Sequence, residues 1–494
     1  MDSECIHLKN TLALLQWDQE TYLPEKGVAE RAEQLALMER LVHERVTSDE
    51  LNRLLTELGS TTENPGGDEK LSSLDSDFVK ILRRNYDRAV KLPADFVSDS
   101  ARAEGLSQAA WVKARSDNNF EYFLPHLVKM MEIARQKAAY WGFKDNPYDG
   151  LLDIYEPGLG EEKIYSLFNP LRERLSALLK KIAACPRPDT SFLDTDYDVK
   201  SQAEYCAKLM KHIGFDTARG RIDISAHPFC TSIGSNDIRM TTRYFPNLLS
   251  SSIFATIHES GHGIYEMGFP EELQGTVLAG GASMGIHESQ SRLWENVIGR
   301  SRPFWQNQFP LIQSQFPDKL SKINFDEFYR AINLVEPSLI RVEADEVSYS
   351  LHIILRFELE KALFSGTIDP VKLPEVWREK MKEYLGIEPE TDSLGVLQDI
   401  HWSMGAFGYF PSYALGNLYG LLFWEKLNSE IPSLENEISG GNFSSIHSWL
   451  KDKIYVWGQR QYPGDLLKTV TGNTLSVEPF LNYVESKYSA LYGI

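Results

Sequence analysis

Cysteine is scarce in this chain. Only Cys5, Cys185, Cys206 and Cys230 occur in 494 residues, and no two of them form a CxxC pair. That spacing excludes a zinc knuckle or a disulfide framework, and free thiols in a reducing, cytoplasmic setting are the expectation. Positive charge is also in deficit. Lys and Arg number 51 against 70 Asp and Glu, for a formal net charge of −19. Nucleic acid and anionic membrane are therefore not expected partners, because phosphate contacts need a basic footprint. The charge is expected to serve solubility. The longest apolar stretch, residues 414–424, is too short to cross a bilayer and is interrupted by Asn417. The first residues show no basic segment followed by an apolar run, so no secretory signal is expected. No fixed-period repeat is visible, which argues against a solenoid.

What is present suits a large folded protein. Hydrophobic residues make up 42% and aromatic residues 11%, enough for a substantial core. The first two hundred residues carry helical spacing. Residues 31–58 place Leu35, Leu37, Met38, Leu41, Val42, Leu51, Leu54 and Leu55 in that pattern. Residues 59–69 read as a loop, and helical patterns resume at 71–90, 94–116 and 120–141. A loop is expected at 142–160, then helices at 161–184 and 198–213. Residues 221–244 alternate, with Ile238, Met240, Thr242 and Tyr244 opposite Arg239, Thr241 and Arg243, which predicts one small sheet. Helical periodicity follows to the end. The expected fold class is mostly α, with a small β-sheet beside a deep groove. Residues 1–213 are read as a helical wall or lid of that groove, 214–430 as the core that carries the sheet, and 431–494 as a helical region packed on it, all in one continuous fold.

The sharpest local signal is His258-Glu259-Ser260-Gly261-His262, an HExxH pattern. Residues four apart lie about 40° apart around a helix axis, so both imidazoles leave one face. They can grip one zinc, and Glu259 can reach a water beside it as general base. Asn247 or Ser250 is expected to cap this helix, and Gly268-Phe269-Pro270 to end it. The plain alternative is a surface helix with incidental histidines.

A catalytic zinc needs a third protein ligand. Glu288, 26 residues after His262 on a second helical stretch, is the expected one. Glu295 follows two turns later on the same face and suits a supporting carboxylate. His287 points about 100° away from Glu288 and is not expected to share its direction. Cobalt could occupy the same donors. Glu259-Ser260-Gly261-His262 is also an ExxH, as di-iron bundles use, but no partner ExxH segment follows. A non-catalytic helical scaffold would explain the composition and leave the ordered motifs unexplained.

With these motifs in view, the chain resembles the carboxypeptidase Taq family of zinc metallocarboxypeptidases. The resemblance rests on HExxH at 258–262, His287-Glu288-Ser289-Gln290, and Asp237-Ile238-Arg239-Met240-Thr241. It also rests on Arg341-Val342-Glu343-Ala344-Asp345 and on Gly395-Val396-Leu397-Gln398-Asp399-Ile400-His401-Trp402. Trp17-Asp18-Gln19-Glu20-Thr21 and Lys487-Tyr488 extend it over nearly the whole chain. Some positions depart from the pattern. The small residue before the glutamine of HES(G/A)Q is missing, Leu339 replaces an isoleucine, and Ile454-Tyr455-Val456-Trp457-Gly458 lacks the usual histidine.

The resemblance implies a peptidase of broad specificity acting on peptides with a free C terminus, and a homodimer. It suggests His401 and Tyr409 as oxyanion donors. Arginine suits the substrate's terminal carboxylate because its planar fork bonds in two places. Arg341 is the leading candidate; its alternative partner is Asp345, four residues on. Arg239 is second; its alternative partner is Asp237, on a strand that could offer a free edge to an extended peptide. HExxH chemistry alone leaves an endopeptidase or oligopeptidase open.

Overall fold

The computed structural model describes residues 2–494. Helices dominate it, and the long amphipathic stretches form where their periodicity predicts. Ala94–Ser116 and Phe120–Trp141 keep the expected boundaries. Asn119 caps the second of these, and Gly142, at φ 104, ends it with a left-handed residue that favours glycine. The stretch 31–58 instead divides into Val28–Val46 and Asp49–Glu57. The Ser48 side chain accepts the Leu51 N–H and starts the second helix. The expected loop at 142–160 contains a further helix, Pro147–Tyr155. Its proline sits in the first turn, where a missing N–H costs nothing, so the same breaker that suggests a loop starts a helix.

The sheet has three strands: β1 (Gly220–Ile224), β2 (Cys230–Gly234) and β3 (Asp237–Thr242). Their order is β1-β3-β2, with β3 parallel to β1 and antiparallel to β2. Arg239 therefore lies on the central strand. Both edges of β3 are already hydrogen-bonded, so it cannot offer the free edge expected of it. Ile238 and Met240 are fully buried and turn inward.

One continuous buried cluster runs from Trp111 to Tyr488 and includes the sheet and the HExxH helix. The first ninety residues pack outside it. Leu51, Leu55, Val79 and Tyr86 form one small cluster, and Ile81 joins Leu273, Val277 and Leu278 in another. At the other end, Lys487 Nζ donates to Glu346 Oε2 at 2.8 Å, and Tyr488 Oη does the same at 2.8 Å. That buried pair ties the last helix to the segment that follows Arg341.

Candidate active site

HExxH lies on the helix Leu249–Gly268. Ile253, Ile257 and Ile264 bury one face of it. Neither Asn247 nor Ser250 caps it; the cap position is Leu248, with no side-chain hydrogen bond. Packing against the sheet and the neighbouring helices fixes this end in place of a capping side chain. Glu288 lies on the helix Met284–Arg292, whose first turn is capped by Ser283 Oγ accepting Ile286 N at 3.0 Å. The buried Glu156 carboxylate accepts the Gly285 N–H of the same turn. The chain then continues as a π-helical turn, Leu293–Ile298, a geometry often found at functional sites.

Glycines let these helices approach closely. A Cβ on Gly261 would lie 2.7 Å from Ser291 Cα and 2.8 Å from Gln290 O. The helix Pro411–Glu430 crosses the other side of Glu288. A Cβ on Gly416 would stand 2.5 Å from Glu288 Cγ and 2.7 Å from its Cβ. Gly416→Ala should therefore cost about 1–3 kcal/mol of stability through overpacking. It should also release bound metal to a chelator faster than the unmodified protein does. Gly420→Ala, whose methyl would meet nothing closer than 3.2 Å, is the control. Identical metal release from both variants would contradict the account.

His258, His262 and Glu288 each offer a donor atom, and these atoms lie within 4.8 Å of one another. Glu288 Oε2 stands 3.7 Å from His258 Nε2 and 3.5 Å from His262 Nε2. Donors at about 2.0–2.1 Å from a tetrahedral ion stand roughly 3.3–3.4 Å apart, so the spacing fits a small divalent metal. The remaining ring nitrogens are engaged behind it. His258 Nδ1 donates to Glu295 Oε2 at 2.8 Å. His262 Nδ1 meets His287 Nδ1 at 2.6 Å, and His287 Nε2 donates to Glu266 Oε1 at 2.9 Å. Such bonds fix each ring's tautomer and leave Nε2 free as a ligand. His287 thus turns to His262 and not to the metal position.

The electrostatics agree with the geometry. Burial acts to raise the Glu288 carboxyl, but Arg292 and the two imidazoles outweigh it and hold it below the usual carboxylate range. Arg292 Nε donates to Glu288 Oε1 at 2.7 Å. Burial pushes His262 down to about 3, so the ring is neutral and ready to ligate. Burial pushes Glu259 up to about 7, and its Oε2 is buried without a hydrogen-bond partner.

Arg341, His401 and Tyr409 gather in one cluster. Arg341 lies over the Tyr413 ring at 4.8 Å. His401 Nε2 is 3.2 Å from Tyr413 Oη, and its ring centre is 5.4 Å from that of Tyr409. Arg341 Nη1 donates to Tyr349 Oη at 3.2 Å, and the guanidinium of Arg292 lies over the same Tyr349 ring at 4.0 Å. That chain connects the cluster to Glu288. The partner of Arg341 is not Asp345. Arg341 lies in a short 3-10 turn, Arg341–Glu343, where four-residue spacing does not align side chains, and Asp345 accepts Val347 N, Ser348 N and Ser348 Oγ. Arg341 pairs with Asp399 instead, at 2.9 Å. Arg239 belongs to another group: it pairs with Asp237 at 2.9 Å and lies over Trp17 at 4.3 Å.

Sequence reasoning passed over Arg292, Glu266, Tyr349 and Tyr413. Two of these carried a signal. Glu266 follows His262 by four residues, and Arg292 follows Glu288 by four, so each shares a helix face with one of the converging donors. Tyr455, at the position where the family pattern has histidine, packs against Tyr265 at 4.9 Å, and Tyr265 touches His287 at 5.3 Å.

The sequence profile of the family described as "Carboxypeptidase Taq (M32) metallopeptidase" matches residues 1–488. The chain is 41% identical to thermostable carboxypeptidase 1 of Thermus thermophilus, covering 99% of this chain and 97% of that protein. It is 39% identical to carboxypeptidase 1 of Bacillus subtilis, covering 98% and 96%. The solved structure of the M32 carboxypeptidase from Deinococcus radiodurans superposes with a TM-score of 0.96 at 36% identity, covering 100% and 98% of the two chains. Likeness of this depth, running end to end through the fold and the motifs alike, means that the chain belongs to the carboxypeptidase Taq (M32) family and is a metallocarboxypeptidase.

Proposed function

We propose that this metallocarboxypeptidase uses zinc, held by His258, His262 and Glu288, to remove single amino acids from free C termini with broad preference. The carrying observation is the convergence of the three donor atoms with both imidazoles braced from behind. Two histidines and a glutamate are a recurrent donor set for catalytic zinc, and cobalt can substitute. A bound ion would polarise the scissile carbonyl and acidify the attacking water. Glu259 takes the proton and returns one to the leaving amine. His401 and Tyr409 donate to the developing oxyanion. Arg341 receives the terminal carboxylate. Its Nε donates to Asp399 and its Nη1 to Tyr349, which leaves an unspent N–H on each Nη for a two-point contact. Arg239 holds β3 in place beside the HExxH helix or meets a more distant part of the peptide. A homodimer and a cytoplasmic location complete the reading; the first is checked by light scattering of the purified protein.

Matched peptides with free and amidated C termini, assayed with and without a chelator and alongside metal analysis, test the proposal. Hydrolysis of the free acids alone, lost with the chelator and restored by zinc, is expected. Equal cleavage of both peptides would replace this reading with an endopeptidase acting through the same metal.

A further inference from the structure

Asp399 is buried between two arginines. Its Oδ1 accepts Arg341 Nε at 3.0 Å and lies 2.9 Å from Arg341 Nη2. Its Oδ2 accepts Arg356 Nε at 2.7 Å and lies 2.5 Å from Arg356 Nη2. Arg356 is fully buried, so no substrate can reach it. It also donates Nη1 to His352 O at 2.7 Å, and its guanidinium faces Trp377 at 4.6 Å. A buried cation is expensive, so its position asks for a reason.

Charge supplies one. Arg341 and Asp399 alone would form a neutral pair, and a neutral pair attracts a carboxylate weakly. Arg356 adds one positive charge to that pair. The neighbouring rings do not change the sum, because burial pushes both His352 and His401 down to about 3. Glu360 lies one turn beyond Arg356 but forms no ion pair with it. Its oxygens accept Trp402 Nε1 at 2.7 Å, Tyr148 Oη at 2.8 Å and Gly408 N at 2.8 Å.

We propose that Arg356 is a positioning residue for substrate binding. By holding the second oxygen of Asp399, it stops that carboxylate from turning both oxygens onto Arg341. Arg341 then keeps a free N–H on each Nη and an uncancelled charge for the terminal carboxylate of the peptide. The inference rests on the reading of Arg341 as the carboxylate anchor.

Four variants of the full, zinc-loaded chain test it: Arg356→Met, Arg356→Lys, Arg356→Met with Asp399→Asn, and Arg341→Ala. Arg356→Met should raise KM for a free-acid peptide by about tenfold, with kcat and metal content nearly unchanged. Arg356→Lys should recover much of that loss, since it keeps the charge. The double variant should also bind better than Arg356→Met alone, because removing Asp399 restores the net charge beside Arg341. A purely structural role predicts the opposite, a double variant worse than Arg356→Met alone. If Arg356→Met yields no folded protein, the double variant is compared with the wild type: a KM near the wild-type value is expected, and a rise of about tenfold or more would overturn the inference. Wild-type KM in Arg356→Met, or kcat falling with an unchanged KM, would overturn the inference. Arg341→Ala separates the two readings. If it raises KM while Arg356→Met does not, only the role of Arg356 fails; if it leaves KM unchanged, the anchor itself fails.

Discussion

Glu259→Gln is expected to cut turnover by about 10²–10⁴-fold, the range for losing a positioned general base, while the protein keeps its full metal content. The reason is positional. Glu259 sits between His258 and His262 on one helix, yet its carboxylate is not among the three donor atoms that converge. Its Oε2 is buried and bonded to nothing, so an amide of the same shape disturbs no existing hydrogen bond at that oxygen. His258→Ala should behave differently and lose metal and activity together. That change removes a donor and also strands Glu295, whose Oε2 accepts His258 Nδ1 at 2.8 Å. Metal analysis and turnover measured on the same samples distinguish the cases. Near-normal turnover in a fully metallated Glu259→Gln protein would remove Glu259 from the chemistry.

Arg341→Ala is expected to lower kcat/KM on free-acid peptides by roughly 10- to 150-fold, the equivalent of losing a charge-assisted contact worth about 1.5–3 kcal/mol. The loss should appear mainly in KM. Discrimination between free and amidated peptides should shrink with it, because the amide never engaged the guanidinium. Arg341→Lys should rescue only part, since an ammonium cannot make the planar two-point contact. The fold should survive, because Asp399 keeps its second arginine, Arg356. Arg239→Ala is the contrast. It breaks the pair with Asp237 and the contact with Trp17, so it should lower thermal stability along with activity. Preserved discrimination in Arg341→Ala would move the carboxylate anchor elsewhere.

Local periodicity carried much of this protein. Ala94–Ser116 and Phe120–Trp141 were legible residue by residue, because 3.6-residue spacing and capping residues act over a few positions. The pairing of His258 with His262 was legible for the same reason. Glu288 needed a further step, since a spacing of 26 residues suggests a second helix and does not orient it. What orients it is the close crossing at Gly261 and Gly416, where the absence of a side chain matters only because another helix is there.

By itself, then, the sequence determined the helical class, the small sheet, the two histidines and the glutamate that converge, and the family. Tertiary structure alone decided which strand lies in the middle of the sheet, so that β3 has no free edge. It also decided that Arg341 pairs with Asp399, 58 residues away, and not with Asp345, four residues away. The physical reason is range. Backbone geometry sets which neighbours along a helix share a face. Partners for buried charges are set by which distant segments pack together, because a charge out of water must find a counter-charge wherever the fold brings one.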